Sequence, residues 1–211
     1  MASRRETTPR AYHHGDLRAA LIDASVELVD KDQDWTFSLR EVARRAGVSH
    51  NAPFNHFPDK RYLLDAVAGV GFEELSAVMR STADGISNVA EVLKAIARAY
   101  VDFALANPAR YRLMFGSELI PSEDFQPEVS ARAGDEAKRV LRDVILLGAT
   151  GNEFCVDSED RGEVSTAVLT VWSAVHGLSM LLIDSKSEMP AKPGQLVDEI
   201  SQTLIEGLRR R

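Results

Sequence analysis

Residues 38–57 read SLREVARRAGVSHNAPFNHF, and within them two short helical segments meet at a glycine. Ser38 and Glu41 have the spacing of a capping box, in which the serine hydroxyl accepts the glutamate amide hydrogen and the glutamate side chain returns a bond. The helix that begins there is predicted to end at Gly47, where a left-handed backbone costs little. Two short helices joined in this way have the dimensions of a helix-turn-helix.

The second half of this stretch is predicted to form a third helix of about two turns, capped by the Ser49 hydroxyl. Pro53 falls at the edge of its first turn, where the loss of one N–H donor costs least. The side chains that such a helix would present outward are His50, Asn51, Ala52 and Asn55. Asparagine can form a bidentate pair with adenine, and alanine or an aromatic ring can contact a thymine methyl group. A solvated surface helix is the alternative, and composition alone favours it.

Helical periodicity continues through nearly the whole chain, and no alternating strand pattern is long enough to compete with it. The segment from Leu17 to about Lys31 is predicted to form the first helix, and Asp59 is predicted to cap a long helix over 60–82. Five more helices are predicted: one from Val89 to the break at Asn107-Pro108, a short one over 111–115, and three over about 127–147, 162–184 and 194–209. We therefore expect an all-α protein of about nine helices, with a three-helix domain over residues 1–60 and a helical bundle over residues 61–211.

Length and composition place the protein among globular chains that can bury a sizeable core. It has 211 residues, of which 45% are hydrophobic, and its single cysteine, Cys155, excludes an internal disulfide framework. No uninterrupted apolar run reaches the roughly 18 residues that would indicate a membrane span. The basic N-terminus is not followed by the apolar segment of a secretory signal. We expect a cytoplasmic protein that does not enter a membrane.

The net charge of −7 is distributed unevenly along the chain. Residues 1–60 hold nine basic and nine acidic side chains, so the whole negative excess lies after residue 60. Arg4, Arg5 and Arg10 make the N-terminus locally positive. Such a segment is either a solvated tail or an arm that contacts phosphates, and charge alone favours the tail.

The span from Thr36 to Leu64 resembles the DNA-binding head of tetracycline-repressor-like (TetR) regulators. The residues that match this head are Ser38, Val42-Ala43, Ala46-Gly47-Val48-Ser49, His56-Phe57 and Lys60. Two positions depart from its usual pattern. Phe54 stands where a tyrosine is usual, which removes a phenolic phosphate contact, and Pro53 stands where a leucine is usual.

Three weaker motifs extend the resemblance to one subgroup of these regulators. The first is the opening YHHGDLR over residues 12–18, and the second is Asn107-Pro108 followed by YRLMF over residues 111–115. The third is Trp172 with His176-Gly177, a signature after which one C-terminal domain of the TetR type is known. Together these motifs extend the resemblance over most of the chain.

The resemblance implies distinct roles within the head. Early residues of a recognition helix reach base edges in helix-turn-helix docking, so the candidate base contacts are His50, Asn51, Ala52 and Phe54. The candidate phosphate contacts are Ser38, Ser49, His56 and Lys60.

The resemblance further implies a homodimer in which the last two helices pack against their copies. The apolar residues available for this interface are Val168, Val171, Val175, Leu178, Ile200, Leu204 and Leu208. A symmetric dimer presents two recognition helices, so we expect it to bind a palindromic operator in double-stranded DNA. We expect a repressor that a small-molecule effector releases from DNA by favouring another dimer geometry.

The candidate effector pocket lies in the helical bundle. Its candidate lining residues are Phe72, Met79, Phe103, Tyr111, Met114, Phe115, Trp172 and His176. Each of these side chains can instead fill an ordinary core, and the sequence does not identify the effector. No phosphate loop or cofactor motif is present, so we expect no cofactor.

Alternative sites have little support in the sequence. His13-His14 with Asp16 lack further ligands at helical spacing, so we expect no metal there. Trp172 and His176 share one helix face, but no nucleophile or orienting acid can be assigned to His176, so packing is favoured over catalysis. We expect no enzyme. A ligand-binding or adaptor module without DNA binding remains the alternative, because Phe54 replaces a tyrosine.

Overall fold

The computed structural model describes residues 17–184 and 191–209, and within these ranges it contains eight α-helices, two 3₁₀ turns and no strand. The helices are α1 (Leu17–Asp32), α2 (Leu39–Arg45), α3 (Lys60–Ala83), α4 (Val89–Ala106), α5 (Pro108–Met114), α6 (Glu128–Thr150), α7 (Arg161–Asp184) and α8 (Pro193–Leu208). The 3₁₀ turns cover Ala52–Asn55 and Ser117–Leu119. The all-α prediction is confirmed. The residues considered for a tail or a phosphate-contacting arm and for a metal site lie outside the described residues: Arg4, Arg5, Arg10, His13, His14 and Asp16.

Side-chain caps fix the starts of two predicted helices. The Ser38 hydroxyl accepts the Glu41 amide hydrogen at 3.2 Å, and the Asp59 carboxylate accepts that of Arg61 at 2.7 Å. The carboxylate of Glu41 lies 3.7 Å from Arg44, so it forms an ion pair where a return bond to Ser38 is predicted. Gly47 has a φ of 70°, which confirms the left-handed turn after α2.

The predicted third helix is wrong, because the chain forms a turn followed by one 3₁₀ turn. Ala52 N–H donates to the Ser49 carbonyl and Phe54 N–H to the Asn51 carbonyl, both with the i→i−3 spacing of 3₁₀ structure. Pro53 has no N–H to continue an α-helical ladder, and it disfavours the α conformation of the residue before it. The physical reason for the difference is therefore Pro53 itself.

The described part of the head, residues 17–60, and the helical bundle that follows it, here called the body, share one apolar core. In the head, α1 and α2 pack around Val42 and Phe57, both almost completely buried. The long helix α3 runs from the head into the body, where it packs against α4, α5 and α6. Two glycines of α3 are close-packed: a Cβ at Gly69 would lie 2.7 Å from Val129 Cγ1, and one at Gly71 would lie 2.6 Å from Met114 Sδ.

Helix α7 is strongly apolar, yet only a small part of it is buried within the chain. Its most apolar 18-residue window has a mean hydropathy of 1.7, and only 28% of that window is buried within the chain. By length and composition alone this helix could cross a membrane, which differs from the expectation drawn from uninterrupted runs. Serine, threonine and histidine residues interrupt the apolar run, but the mean hydropathy of the window stays in the range of membrane-spanning helices. The outer face of α7 carries Leu169 and Leu181, which are 54% and 47% exposed.

Candidate DNA-binding surface and effector cavity

The turn after α2 exposes three of the four candidate base contacts. His50 and Asn51 are exposed, and the Phe54 side chain is 53% exposed. Ala52 is only 9% exposed and packs inward beside Pro53, so its assignment as an outward base contact is corrected. The reason is the 3₁₀ geometry, whose three residues per turn rotate Ala52 toward the core.

The four candidate phosphate contacts differ in how free their side chains are. Ser38 and Ser49 are exposed and His56 is half-buried. The Lys60 ammonium donates to the Trp35 carbonyl and lies 4.9 Å from the centroid of the Phe37 ring. Partial burial lowers the pKa of Lys60 because desolvation disfavours the charged form. One of the three ammonium hydrogens of Lys60 is therefore bonded inside the head, and two remain for a phosphate.

Two arginines on α2 were missed by sequence reasoning. Arg40 and Arg44 lie four residues apart on one face of this helix, and both are exposed. The Arg44 side chain is 76% exposed. The opposite face of α2 is buried through Leu39 and Val42. The sequence signal that could have indicated this basic face is the i, i+4 spacing of Arg40 and Arg44 opposite an apolar stripe.

The body contains a cavity of about 430 Å³, within the size range of small-molecule sites. Helices α3, α4, α6 and α7, the end of α5 and the segment after it surround the cavity. Five of the eight candidate lining residues are in its wall: Phe72, Met79, Met114, Phe115 and Trp172. The other three, Phe103, Tyr111 and His176, do not line it, and this part of the assignment is corrected. Phe103 is a core residue, whereas Tyr111 and His176 lie behind the wall.

A hydrogen-bonded network forms one side of this wall. Tyr100 lines the cavity, and its oxygen accepts from the Tyr111 hydroxyl at 2.9 Å and from Trp172 Nε1 at 3.2 Å. His176 Nδ1 lies 2.7 Å from the Tyr111 oxygen and 3.3 Å from the Tyr100 oxygen. Burial raises the pKa of Tyr100 to about 12, raises that of Tyr111 and lowers that of His176. All three groups are therefore uncharged at neutral pH.

Two charged side chains of α6 also line the cavity. The Lys138 ammonium lies 5.3 Å from the centroid of the Trp172 ring and 3.4 Å from the Asp135 carboxylate. Ile120, on the same lining, is 64% exposed. Because these side chains are half or more exposed, they mark the mouth of the cavity.

The segment beside this mouth is tied to the first turns of α3. The Tyr62 hydroxyl donates to the Asp124 carbonyl at 3.1 Å, and the Arg61 guanidinium lies 4.9 Å from the Phe125 ring centroid. The buried Asp65 carboxylate accepts from the first amides of α6, at 3.1 Å and 2.8 Å. The mouth is thus connected to the start of the helix that carries Lys60.

Arg110 of α5 joins the body to the head. Its side chain is 6% exposed, and its guanidinium lies 2.7 Å from the Glu74 carboxylate on α3 and 3.3 Å from the Asp30 carboxylate on α1. It also donates to Asn107 Oδ1 at 2.5 Å. One turn further along α5, Met114 is part of the cavity wall. The short helix α5 therefore lies between the cavity and α1.

The candidate interface residues fall into two groups. Val171, Val175 and Leu178 are 2–6% exposed and face the core of their own chain, so their assignment to an intermolecular surface is corrected. The reason is that α7 is apolar on both faces, and periodicity did not distinguish the inner face from the outer one. The remaining four residues are half-buried and are Val168, Ile200, Leu204 and Leu208.

Comparison with known proteins agrees with this architecture. Residues 21–67 match the family described as bacterial regulatory proteins, tetR family. Residues 93–204, about half of the chain, match the family described as tetracyclin repressor-like, C-terminal domain. HTH-type transcriptional regulators of Mycobacterium tuberculosis and Mycobacterium bovis are 26% identical over 194 residues, which cover 80% of this chain and 82% of theirs.

Solved structures share the fold over nearly the whole chain. A protein of unknown function from Rhodococcus sp. RHA1 is 30% identical, with a TM-score of 0.79 over 96% of this chain and 100% of its own. A tetR-family regulatory protein from Rhodococcus RHA1 is 20% identical, with a TM-score of 0.67 over 92% and 98% of the two chains. The fatty acid degradation regulator FadR from Bacillus halodurans is 18% identical, with a TM-score of 0.69 over 90% and 99%. The chain therefore belongs to the TetR family of DNA-binding transcriptional regulators.

Proposed function

We propose that this regulator is a cytoplasmic repressor that binds a palindromic operator as a homodimer and is released by an apolar or amphipathic effector. The head comprises residues 1–60, and the effector-binding and dimerisation body comprises residues 61–211. The observation that carries this proposal is the apolar cavity, whose walls include parts of α3 and α5, the two helices of the body that contact α1 of the head. Regulators of this family bind DNA, act as dimers and respond to small molecules.

Base readout is assigned to the exposed turn after α2. His50 and Asn51 supply hydrogen-bonding groups, and the exposed Phe54 ring is suited to contact a thymine methyl group. Phosphate binding is assigned to Ser38, Ser49, His56 and Lys60, as the resemblance implies. Arg40 and Arg44 are added to this set, because they are exposed cations on the helix that precedes the turn.

Dimerisation is assigned to the outer faces of α7 and α8. The outer face of α7 combines Leu169 and Leu181 with the small Ser173 and Gly177, and a Cβ added at Gly177 would meet nothing within 4 Å. On α8, Gly207 is equally open. Small residues between exposed leucines allow a second copy to approach closely. A second copy of the chain, and not a lipid bilayer, is therefore the proposed cover for this apolar helix. The half-buried Val168, Ile200, Leu204 and Leu208 complete the proposed interface.

Effector binding is proposed to reach the head through α5 and the start of α3. An effector in the cavity contacts Met114 and Phe115 at the end of α5, whereas Arg110 holds the other end of α5 to Asp30 on α1. A shift of α5 alters the head position in both protomers and hence the separation of the two reading turns. Affinities for effector and operator are then coupled, by 1–3 kcal/mol in typical cases.

The proposal is tested by titrating a fluorescent operator duplex with the purified protein. We expect two protomers to bind each palindromic site, with at least about a thousand-fold preference over a scrambled duplex. A dimer that binds small molecules but prefers no DNA sequence would favour the adaptor alternative, to which Phe54 in place of tyrosine points.

A further inference from the structure

The hydrogen-bonded network beside the cavity contains more polar groups than packing requires. Three polar groups from three helices, Tyr100 of α4, Tyr111 of α5 and His176 of α7, converge beside an apolar cavity. Burying polar groups is costly unless each of them is hydrogen-bonded. A hydroxyl hydrogen of this network that has no acceptor within it would therefore favour a ligand that accepts it.

The hydrogen-bonding positions of the Tyr100 oxygen show which hydrogen lacks an acceptor in the network. A phenolic oxygen accepts two hydrogen bonds and donates one. Both acceptor positions are filled, by the Tyr111 hydroxyl at 2.9 Å and by Trp172 Nε1 at 3.2 Å. The remaining valence is the Tyr100 O–H, whose acceptor within the network would be His176 Nδ1 at 3.3 Å.

His176 Nδ1 is better placed for a different bond, because it lies 2.7 Å from the Tyr111 oxygen. With the Tyr111 hydrogen directed at Tyr100, this short contact requires the Nδ1–H tautomer of His176, which donates to Tyr111. The donors then run from His176 to Tyr111 to Tyr100. The Tyr100 O–H then has no acceptor within this network, and Tyr100 itself is one of the residues that line the cavity.

A second donor lies on the other side of Trp172. The Lys138 ammonium is 5.3 Å from the centroid of the Trp172 ring, and the same indole donates to Tyr100. The Asp135 partner of Lys138 is 72% exposed, so this surface ion pair is screened and weak. Lys138 can therefore turn from Asp135 toward an anionic group at the cavity mouth.

We propose that the cavity binds an apolar chain that ends in a carbonyl or carboxylate oxygen. The Tyr100 hydroxyl donates to that oxygen, and Lys138 adds a charge interaction when the end group is a carboxylate. His176 and Tyr111 are positioning residues, which orient the Tyr100 hydrogen through their own bonds. This inference rests on the proposed effector role of the cavity, and it names the chemical class of the effector.

Decanoic acid and methyl decanoate serve as probes, because their flexible chains adapt to the cavity and both carry a carbonyl oxygen. Tyr100→Phe removes only the hydroxyl, and we expect it to weaken the ester about 2- to 12-fold and the acid roughly 10- to 100-fold, measured by calorimetry. Lys138→Gln should weaken the acid and leave the ester unchanged. Thr82→Val, which removes an exposed hydroxyl at the end of α3 away from the cavity, is the control and should bind both probes as the wild type does.

The tautomer of His176 distinguishes a positioning role from packing alone, because packing does not determine which ring nitrogen carries the hydrogen. Nitrogen NMR of the complex with methyl decanoate should show the Nδ1–H form, and Tyr111→Phe should remove this preference. The proposal is overturned if neither probe binds the wild type at millimolar concentration, or if Tyr100→Phe binds both probes normally. Operator binding by the ligand-free protein is measured separately, so a failed inference about the effector leaves the proposed DNA-binding role testable by itself.

Discussion

The Arg110 guanidinium on α5 lies 3.3 Å from the Asp30 carboxylate on α1, across the boundary between body and head. The same guanidinium lies 2.7 Å from Glu74 on α3. Arg110 is buried whereas both acids are 40–47% exposed, so the pairing positions the helices more than it stabilises the fold. It therefore provides a specific test of how an effector reaches the DNA-binding head.

Replacing Arg110 should uncouple the cavity from the head. For Arg110→Gln we expect operator affinity without effector to change little, because the reading turn is untouched. The loss of operator affinity on adding decanoic acid should shrink by most of the coupling free energy, which is typically 1–3 kcal/mol. Stability should fall by about 1–3 kcal/mol, since hydrogen bonds to charged groups are lost.

The matched control for this prediction is Arg80→Gln, which removes an ion pair with Glu136 that lies entirely within the body. Operator titrations with and without decanoic acid compare the two variants. If Arg110→Gln responds to the acid as fully as Arg80→Gln does, the route through α5 and α1 is wrong.

A charge on the outer face of α7 should dissociate the dimer. Leu169→Glu places a carboxylate at a 54% exposed position that a second copy would cover, and an unpaired buried charge costs about 3–5 kcal/mol. Leu147→Glu on α6 is equally exposed, at 57%, and should leave the dimer intact. Sedimentation velocity at micromolar concentration distinguishes them, and a wild-type monomer under these conditions would contradict the interface altogether.

Base readout and phosphate binding should respond differently to salt. Asn51→Ala should cost about 1–3 kcal/mol per half-site on the cognate operator and little on scrambled DNA, with the salt slope unchanged. Arg44→Ala should weaken both duplexes alike and flatten the log–log salt slope by roughly one per lost phosphate contact. Lys60→Ala should behave as Arg44→Ala does, with an added loss of head stability, because the ammonium also binds the Trp35 carbonyl.

Salt titrations of each variant on both duplexes provide the measurement. The same response of Asn51→Ala and Arg44→Ala on both duplexes would refute the assignment of separate roles to the turn and to α2.

Alkaline pH should destabilise the protein through Tyr100. Burial raises its pKa to about 12 in the folded protein, above the value of about 10 for an exposed tyrosine. The folded state therefore holds this proton longer than the unfolded chain does. Its contribution to stability, about 2–3 kcal/mol, is complete below pH 10 and is lost as the pH rises through 12.

Urea denaturation between pH 9 and 12 should show this decline. Tyr100→Phe should flatten it, while the buried Tyr111 keeps part of it. An equal decline in Tyr100→Phe and the wild type would show that the Tyr100 hydroxyl is not buried as described.

Most of the fold could be predicted because its signals are local. Ser38 and Asp59 cap helices through bonds to residues two or three positions away, and Asn107-Pro108 separates α4 from α5. The same local reasoning failed at Pro53, where the missing N–H and the restricted residue before it outweighed the helical pattern. Helix existence was thus easier to predict than backbone geometry within a short turn.

The candidate site was less predictable because its groups meet only after folding. Tyr100 and His176 are 76 positions apart, and Arg110 and Asp30 are 80 positions apart, so no spacing rule connects them. The aromatic residues of the cavity were recognisable by type, yet Tyr100 was missed and Phe103 was wrongly included. Residue type does not show which apolar side chains line a cavity and which fill the core. In a helix that is apolar on both faces, as α7 is, the sequence also does not show which face packs against the rest of the chain.

The most direct test of the central claim is selection of DNA fragments from the protein's own genome by the purified dimer, followed by sequencing. We expect enrichment of one palindromic motif, and a lower yield of the same fragments when decanoic acid is present during selection. Asn51→Ala should lose the enrichment, whereas Tyr100→Phe should keep it and resist the acid. If the wild-type dimer enriches no sequence, the claim that this chain is an operator-binding repressor would be contradicted.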